Sequence, residues 1–219
     1  MISKPPYPLV IFDWDGTLMD SVPRIVSSVQ TLAVECLLPV PSVAAIHDII
    51  GLSLPVALER LFGLRSQTKV QDVVNLYRDI YVIREQTPTP MFAGAVDLLN
   101  QLHEAGVTLA VATGKARPGL ERAWAESQTK SLFKVARCAQ EVASKPNPQM
   151  IEEILEATQT PATHALMVGD SVHDMEMARN AGVAAVGVTY GVHSAERLKA
   201  AQPRYIVDSL SQLQTLLLT

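Results

Sequence analysis

Two aspartates follow the first apolar run of the sequence at a spacing that could do chemistry. The run Leu9–Phe12 leads directly into the segment 13–17, which reads DWDGT. In an extended chain, residues two apart point to the same side, so Asp13 and Asp15 are expected to face one space. Carboxylates placed together repel each other unless a cation or a proton lies between them. Mg²⁺ suits such a site because it takes oxygen ligands and often keeps several waters and a phosphate.

Three later segments add groups that suit a phosphate. Thr113 and Gly114 follow another apolar run and offer a hydroxyl beside a glycine, which lets backbone amides approach a ligand closely. Lys145 precedes a predicted helix start and could neutralise a phosphate or orient the first carboxylate. Asp170 and Asp174 follow a further apolar run and would give a metal another ligand. Together these segments indicate a phosphate and metal site.

Each feature alone also has an ordinary structural explanation. Asp-X-Asp tripeptides are common in turns, and a lysine such as Lys145 is usually a solvated surface residue. Asp170 or Ser171 could simply cap the helix that follows. The position of the segments after apolar runs favours a site, because ligands of open parallel sheets bind beyond the carboxyl ends of the strands.

The elements that would position these residues are short apolar strands alternating with helices. The clearest runs lack apolar/polar alternation, which is typical of strands covered on both faces. We therefore predict an α/β fold in which a parallel sheet is flanked by helices. The clear strands are Leu9–Phe12, Val107–Val111, Ala165–Val168 and Ala184–Val188, and the segments 135–138 and 205–207 are further candidates.

The alternation stops between Met19 and Pro90, where the apolar residues follow helical spacing and no strand is apparent. Prolines at 88 and 90 disfavour helix in the residues before them, so the chain should be extended there. We predict a core made of residues 1–19 and 89–219, with a helical cap inserted over residues 20–88. The Gly-centred break at 50–55 is a candidate for a loop that reaches the site, or it is an ordinary turn between helices.

Composition and charge narrow the class of partner. With 219 residues, of which 48% are hydrophobic and 18% charged, the chain can bury enough apolar surface to fold. A net charge of -4 without a block of Lys or Arg leaves no electrostatic footprint for nucleic acid or an anionic membrane. A small molecule is the expected partner, and the oligomeric state stays open.

Targeting and redox signals are absent from the sequence. Cys36 and Cys138 are far apart with no zinc-like spacing, so both are expected to be reduced thiols. We find neither a signal-peptide core in the first residues nor an apolar run long enough for a membrane span. A cytoplasmic location is therefore expected.

In chain order the segments present an acidic pair, a Thr-Gly, a Lys and a second acidic pair, between Asp13 and Asp174. This order resembles that of the haloacid dehalogenase superfamily of phosphatases, and most closely its phosphoglycolate phosphatase-like group, which carries a helical cap between the first two motifs. The resemblance covers essentially the whole chain. It implies a Rossmann-like core with an inserted cap, and Mg²⁺-dependent hydrolysis of a small-molecule phosphate ester.

The resemblance also implies a role for each catalytic position. Asp13 matches the nucleophile that forms an aspartyl-phosphate. Asp15 matches the general acid that protonates the leaving oxygen and then, as a base, activates water. Thr113 and Gly114 match the phosphate-binding second motif, and Lys145 matches the lysine of the third.

The resemblance implies that the metal lies between carboxylates of the first and the last motif segments. Asp170 matches a magnesium ligand, and Asp13 with the main-chain carbonyl of Asp15 would complete the protein's share of the metal shell. Asp174 matches the supporting acid of the fourth motif, which holds the metal ligands in place without binding the metal itself.

Departures from the family pattern bear on substrate and on alternative activities. The second motif continues as Thr113-Gly114-Lys115 where Thr-Asn-Lys is frequent, so a side-chain amide is missing. Sugar-phosphate mutases of this group carry a histidine where this chain has Arg24, which weighs against a mutase. A 2-haloacid dehalogenase needs no acid two residues after the nucleophile, so Asp15 weighs against that activity.

A non-catalytic phosphate-binding module is the remaining alternative, and it would be expected if one of the motifs had decayed. All of them are present. The sequence does not choose among phosphoglycolate, sugar phosphates, nucleotides and pyrophosphate as the substrate.

Overall fold

A computed structural model describes residues 5–219, and a parallel six-stranded sheet lies at its centre. The strand order is β3-β2-β1-β4-β5-β6, and all neighbouring strands run parallel. The predicted α/β fold is confirmed, and both further candidate segments belong to strands. The strands are β1 (Leu9–Phe12), β2 (Thr108–Ala116), β3 (Phe133–Ala139), β4 (Ala165–Gly169), β5 (Ala184–Val188) and β6 (Tyr205–Val207).

Helices occupy most of the chain between the strands. A π-helical turn over Ile80–Arg84 extends the fourth helix. None of the helices in residues 5–219 combines the length and apolar character that crossing a bilayer requires. The helices are α1 (Val22–Glu35), α2 (Val43–His47), α3 (Leu54–Phe62), α4 (Gln67–Asp79), α5 (Ala95–Glu104), α6 (Arg117–Ser127), α7 (Gln149–Thr158), α8 (Val172–Asn180), α9 (Ala195–Ala200) and α10 (Leu210–Leu218).

Both faces of the sheet are covered, as the absence of alternation in the strands predicts. In β1, Val10 and Phe12 pack into one apolar cluster with α5, α6 and α10. Leu9 and Ile11 point to the other face and pack with α7, α8 and α9. Every residue of β1 is therefore buried, and the strand end that follows it is held rigidly.

Helices α1 to α4 share a third apolar cluster, distinct from the two on the sheet faces. Leu32, Ile46, Leu58 and Val74 are among its buried members, one from each helix. Val192, in the loop after β5, also packs into it. This helical segment leaves the sheet after β1 and returns before α5, so it interrupts the alternation of strands and helices.

The sheet order brings the ends of the motif-bearing strands together. β1 lies between β2 and β4, with Phe12 level with Val111 on one side and Val168 on the other. The N–H of Asp13 donates to the carbonyl of Val168 at 2.9 Å, which carries the pairing one residue past the strand. The residues that follow these strands therefore meet at one edge of the sheet, where parallel sheets bind ligands.

The end of α1 contains a backbone strain that can be tested. Leu37 has a φ of 53° and is 94% exposed, so it adopts the left-handed conformation without packing to offset it. The N–H of Leu38 donates to the carbonyl of Ala33 at 2.8 Å, which closes the helix end in the manner that usually requires glycine. A Cβ in this conformation crowds the following carbonyl oxygen.

We expect Leu37→Gly to raise the free energy of unfolding by roughly 0.5–1 kcal/mol. Glycine relieves the backbone strain, and the larger conformational entropy of the unfolded variant offsets part of that gain. Urea denaturation followed by circular dichroism measures this. Leu37→Ala is the matched control, because it removes the exposed side chain but keeps Cβ. An equal gain in both variants would show that side-chain exposure, and not the backbone, sets the stability here.

Candidate active site

Three buried carboxylates and one buried lysine meet beyond the ends of β1 and β4. Asp13, Asp170 and Asp174 each offer an oxygen, and these oxygens lie within 4.8 Å of one another. The ammonium of Lys145 lies 2.9 Å from Asp13 Oδ1 and 2.6 Å from Asp174 Oδ1. The Lys145 side chain has no exposed surface, so the surface-lysine interpretation does not hold. Segments distant in sequence thus converge, as the strand-end interpretation predicted.

Burial governs the electrostatics of this cluster. It raises the pKa of Asp13 to about 7, although the nearby Lys145 ammonium opposes the shift. It also raises the pKa of Asp170 well above the usual range, and the charges of Asp13 and Asp174 add to that effect. Burial alone would lower the pKa of Lys145, but the carboxylates of Asp13 and Asp174 outweigh it and raise that pKa. The cluster therefore has more negative charge than its lysine balances, which a cation would relieve.

The two oxygens of Asp13 have different surroundings. Oδ1 accepts hydrogen bonds from the N–H of Trp14 at 2.7 Å and from Lys145 at 2.9 Å. Within residues 5–219 no group donates to Oδ2. The carboxylate is therefore anchored through one oxygen, while the other keeps its lone pairs for a ligand or an electrophile.

Asp170 and Asp174 differ in how many of their oxygen lone pairs remain available to a metal ion. Asp170 accepts from Thr17 Oγ1 and from the N–H of Val192, both at 2.9 Å and each through a different oxygen. Each oxygen keeps a further lone pair. Asp174 uses one oxygen for the buried lysine and the other for the N–H and Oγ of Ser171, at 3.1 and 2.7 Å. The donor set of oxygens thus fits a hard divalent cation, with Asp13 and Asp170 better placed to bind it than Asp174.

Ser171 and Asp174 also form a capping box at the start of α8, in which Asp174 Oδ2 accepts from the N–H of Ser171. The helix-capping alternative for Ser171 is therefore confirmed. It does not compete with a role in the site, since the same Asp174 carboxylate also binds Lys145.

The side chain of Asp15 lies outside the three-carboxylate cluster. Its Oδ1 accepts from Ser21 Oγ at 2.5 Å and lies 3.0 Å from the ammonium of Lys115. Lys115 also lies 5.4 Å from the ring centre of Tyr81. Asp13 and Asp15 line the same cavity, but Asp13 pairs with Lys145 and Asp15 pairs with Lys115.

Sequence reasoning missed several polar residues that hold this arrangement. The sequence marks Lys115 only as the end of the second motif, although its position directly after Gly114 at a strand end is a usable signal for a site residue. Thr17 was not assigned a function, and its hydroxyl proves to bind Asp170 across the β1–β4 pair. Their contacts depend on side-chain directions that local spacing does not specify.

The end of β2 supplies Thr113 and Gly114. Thr113 is buried, and its Oγ1 accepts from the N–H of Lys115 at 3.1 Å. A Cβ at Gly114 would lie 2.5 Å from the carbonyl oxygen of Leu52 and 2.6 Å from that of Gly51. A side chain therefore does not fit at 114 while the turn after α2 occupies its present place. This contact explains why asparagine is absent from the second motif.

The turn that covers Gly114 is fixed to the sheet edge by further contacts. The N–H of Ser53 donates to Ser144 Oγ at 2.9 Å, beside the loop that carries the buried lysine. Asp48 forms an ion pair with Arg197, and its carbonyl oxygen lies 3.0 Å from His173 Nε2. The segment 50–55 thus joins two helices and also lies directly on the site.

A cavity of about 620 Å³ separates the sheet edge from helices α1, α3 and α4. Asp13, Asp15, Thr113, Gly114 and Lys115 line its sheet side. Asp13, whose Oδ2 accepts no hydrogen bond within residues 5–219, is therefore part of the wall of a space large enough for a small organic molecule.

Curated proteins similar to this chain over nearly its full length have phosphatase or nucleotidase names. "Probable phosphatase IndB" of Dickeya dadantii (strain 3937) is 37% identical over 210 residues, covering 94% of this chain and 91% of that protein. The phosphoglycolate phosphatase of Agrobacterium fabrum is 34% identical, with 97% and 93% covered. A 5'-nucleotidase of Pseudomonas aeruginosa is 30% identical, with 96% of each chain covered.

The fold has close counterparts among solved structures. A haloacid dehalogenase-like hydrolase from Bacteroides fragilis superposes with a TM-score of 0.88, covering 94% of this chain and 99% of that chain at 24% identity. The family model described as haloacid dehalogenase-like hydrolase matches residues 10–188, which include every motif discussed above. Because this match spans most of the sequence and the curated relatives align end to end, the chain is an enzyme of the haloacid dehalogenase-like hydrolase family.

Proposed function

We propose that this enzyme is a magnesium-dependent phosphatase that hydrolyses a small phosphate monoester through an aspartyl-phosphate on Asp13. The observation that carries the proposal is the Asp13 carboxylate, which lines the cavity, is anchored at Oδ1 by a buried lysine and accepts no hydrogen bond at Oδ2 within the described residues. The names of the relatives support phosphate esters as the substrate class.

In the first step, Asp13 Oδ2 attacks phosphorus, an O–P bond forms, and the bond from phosphorus to the leaving oxygen breaks. The attacking carboxylate must be ionised, and Lys145 favours that form. The transferred group has negative charge spread over its oxygens, so the Thr113 hydroxyl and the Gly114 amide would stabilise it as donors.

Asp15 would move the proton in both steps. It gives a proton to the departing alkoxide, and it later takes one from the water that attacks the aspartyl-phosphate and releases phosphate. Lys115 and Ser21 hold its side chain beside the cavity, 3.0 and 2.5 Å from Oδ1.

Asp13 and Asp170, with the main-chain carbonyl of Asp15, would hold the magnesium ion. When bound, it supplies positive charge that stabilises the phosphoryl oxygens. Asp174 has both oxygens engaged, which supports a role in positioning Lys145.

We also propose the division into a core of residues 1–19 and 89–219 and a cap of residues 20–88, of which residues 1–4 lie outside the part of the chain that the structure describes. The separate apolar cluster of α1 to α4 supports it. So do the adjacent connections, where Asp20 N–H donates to Pro90 O at 2.8 Å and Phe92 N–H donates to Leu18 O at 2.9 Å. A cap at this place would exclude water from the phosphoryl group during transfer.

The alternative activities lack support from the site. Arg24, at the position of the mutase histidine, donates to the carbonyls of Tyr81 and Glu85 at 3.0 and 2.6 Å, so it joins α1 to the end of the π-helical turn. A dehalogenase would need neither the carboxylate excess nor the Lys115–Asp15 pair.

Asp13→Asn should lower kcat by about 10³-fold or more, because the amide is a poor nucleophile while its volume is nearly unchanged. Hydrolysis of p-nitrophenyl phosphate measures the loss. Mass spectrometry after acid quench should find one phosphoryl group on the parent protein and none on the variant. Asp97→Asn, on an exposed position of α5, is the control and should retain full turnover. Undiminished turnover of Asp13→Asn would contradict covalent catalysis.

Removal of divalent ions should abolish activity, and Mg²⁺ should restore it. Ca²⁺ should support turnover poorly, because it tolerates a looser geometry and higher coordination. Thermal denaturation gives a second readout, since a ligand at 100 times its Kd stabilises the folded state by about 2.7 kcal/mol. Asp170→Asn should lose most of this Mg²⁺-dependent gain, whereas Asp97→Asn should keep it. A gain that is equal in all three proteins would place the ion elsewhere.

The role of Asp15 predicts a dependence on the leaving group. Asp15→Asn should slow phosphoenzyme formation from benzyl phosphate by roughly 10²–10⁴-fold, because the alkoxide needs a proton. It should slow the reaction of p-nitrophenyl phosphate much less, since that phenolate leaves without one. Rapid-quench measurements on both esters test this, with Asp20→Asn as the neighbouring control. Equal losses on the two esters would indicate a structural role for Asp15.

A further inference from the structure

The cavity beside Asp13 has a polar end and an apolar end. The polar end is the sheet edge, with Asp15 and Lys115. The apolar end is built by the helices that face it. Its walls include Ile25 and Val29 from α1, Ile50 from the turn after α2, Leu54 and Leu58 from α3, and Tyr77 from α4. Any alcohol part of a phosphate ester bound at Asp13 would lie against these walls.

Helix α1, the turn after α2 and helix α3 contribute no cation to the described lining of the cavity. Lys115 lines it from the sheet side and is already paired with Asp15 at 3.0 Å. The other cations of the described lining are Arg78, which is half-buried, and Arg122, which is exposed. A carboxylate lying against α1 and α3 would therefore have no cation on those walls to pair with, and burying an unpaired charge is strongly unfavourable.

The size of the cavity also favours a bulky, apolar alcohol part. Its volume of about 620 Å³ is within the range that accommodates drug-sized ligands. A phosphorylated two-carbon acid would leave most of the apolar wall in contact with water. A bulky apolar group would remove that surface from water, and each buried methylene improves binding about fourfold.

We propose that this cavity selects phosphate monoesters whose alcohol part is bulky, uncharged and largely apolar, of about the size of an arylmethyl group, over esters of small acidic alcohols. The inference rests on the proposed phosphatase function and specifies its substrate class. Selection arises at the helical side of the cavity, whereas the sheet side serves the phosphoryl group common to all substrates.

A series of primary alkyl phosphates tests the proposal, because their leaving groups differ in size more than in intrinsic reactivity. The esters are ethyl, benzyl and 2-naphthylmethyl phosphate, with phosphoglycolate as the small acidic member. With Mg²⁺ present, kcat/KM should rise at least tenfold from ethyl to 2-naphthylmethyl phosphate, and phosphoglycolate should not exceed ethyl phosphate. A flat series, or phosphoglycolate as the best substrate, would overturn the inference.

A matched pair of variants on α3 locates the selectivity. Leu54 is half-buried and lines the cavity, whereas Val56 is 41% exposed and does not line it. Leu54→Lys should shift the ratio of kcat/KM for 2-naphthylmethyl phosphate to that for phosphoglycolate at least tenfold toward phosphoglycolate. Val56→Lys should leave the ratio unchanged. Equal ratios in the two variants would show that the apolar wall does not select the substrate.

Calorimetric titration with the product 2-naphthylmethanol separates the two proposals, because it needs no turnover. Binding with a negative heat-capacity change, weakened in Leu54→Lys, is expected from burial of apolar surface. Such binding without hydrolysis of any ester would refute the phosphatase and support the apolar site. Hydrolysis without size preference would refute only the substrate class. Neither binding nor hydrolysis would overturn both.

Discussion

A lysine ammonium with no access to water holds two carboxylates that come from different strand ends. Lys145 contacts Asp13 after β1 and Asp174 near the start of α8, at 2.9 and 2.6 Å. A buried charge is tolerated only when it is paired, and breaking such a pair typically costs about 3–5 kcal/mol. The orientation of Asp13, and with it the direction of its unhindered oxygen, depends on this contact. The carboxylates in turn remain more negative than one lysine can balance, which is why the site suits a cation.

Other side chains of the cluster also make more than one contact. Asp174 caps α8 through Ser171 while it binds Lys145, so the helix start and the lysine are fixed by one side chain. Asp170 is held by Thr17 from the β1 loop and by the N–H of Val192. The parallel neighbours β1 and β4 provide this arrangement because their carboxyl ends lie level at one edge. The proposed catalytic positions thus follow strands that are buried along their whole length.

Substrate selection depends on a different contact, between Gly114 and the turn after α2. The carbonyls of Gly51 and Leu52 occupy the space that a side chain at 114 would need. This close approach places the apolar wall of the helices opposite Asp13 and separates the cavity into its polar and apolar ends. Asp15 belongs to the polar end, where Lys115 and Ser21 hold its side chain. The sheet side of the cavity therefore serves the phosphoryl group, and the helical side recognises the alcohol part.

The amino-acid sequence by itself determined the parallel α/β sheet, because strands buried on both faces produce uninterrupted apolar runs that can be read locally. It also indicated where Asp13, Thr113, Lys145 and Asp170 would gather, since parallel strands end at a common edge. The tertiary structure alone decided that Lys115 pairs with Asp15. It likewise decided that the lining facing Asp13 is apolar, because that lining joins helices distant in sequence. Spacing along the chain specifies which residues follow a strand, but the directions and neighbours of their side chains arise only when the helices pack against the sheet.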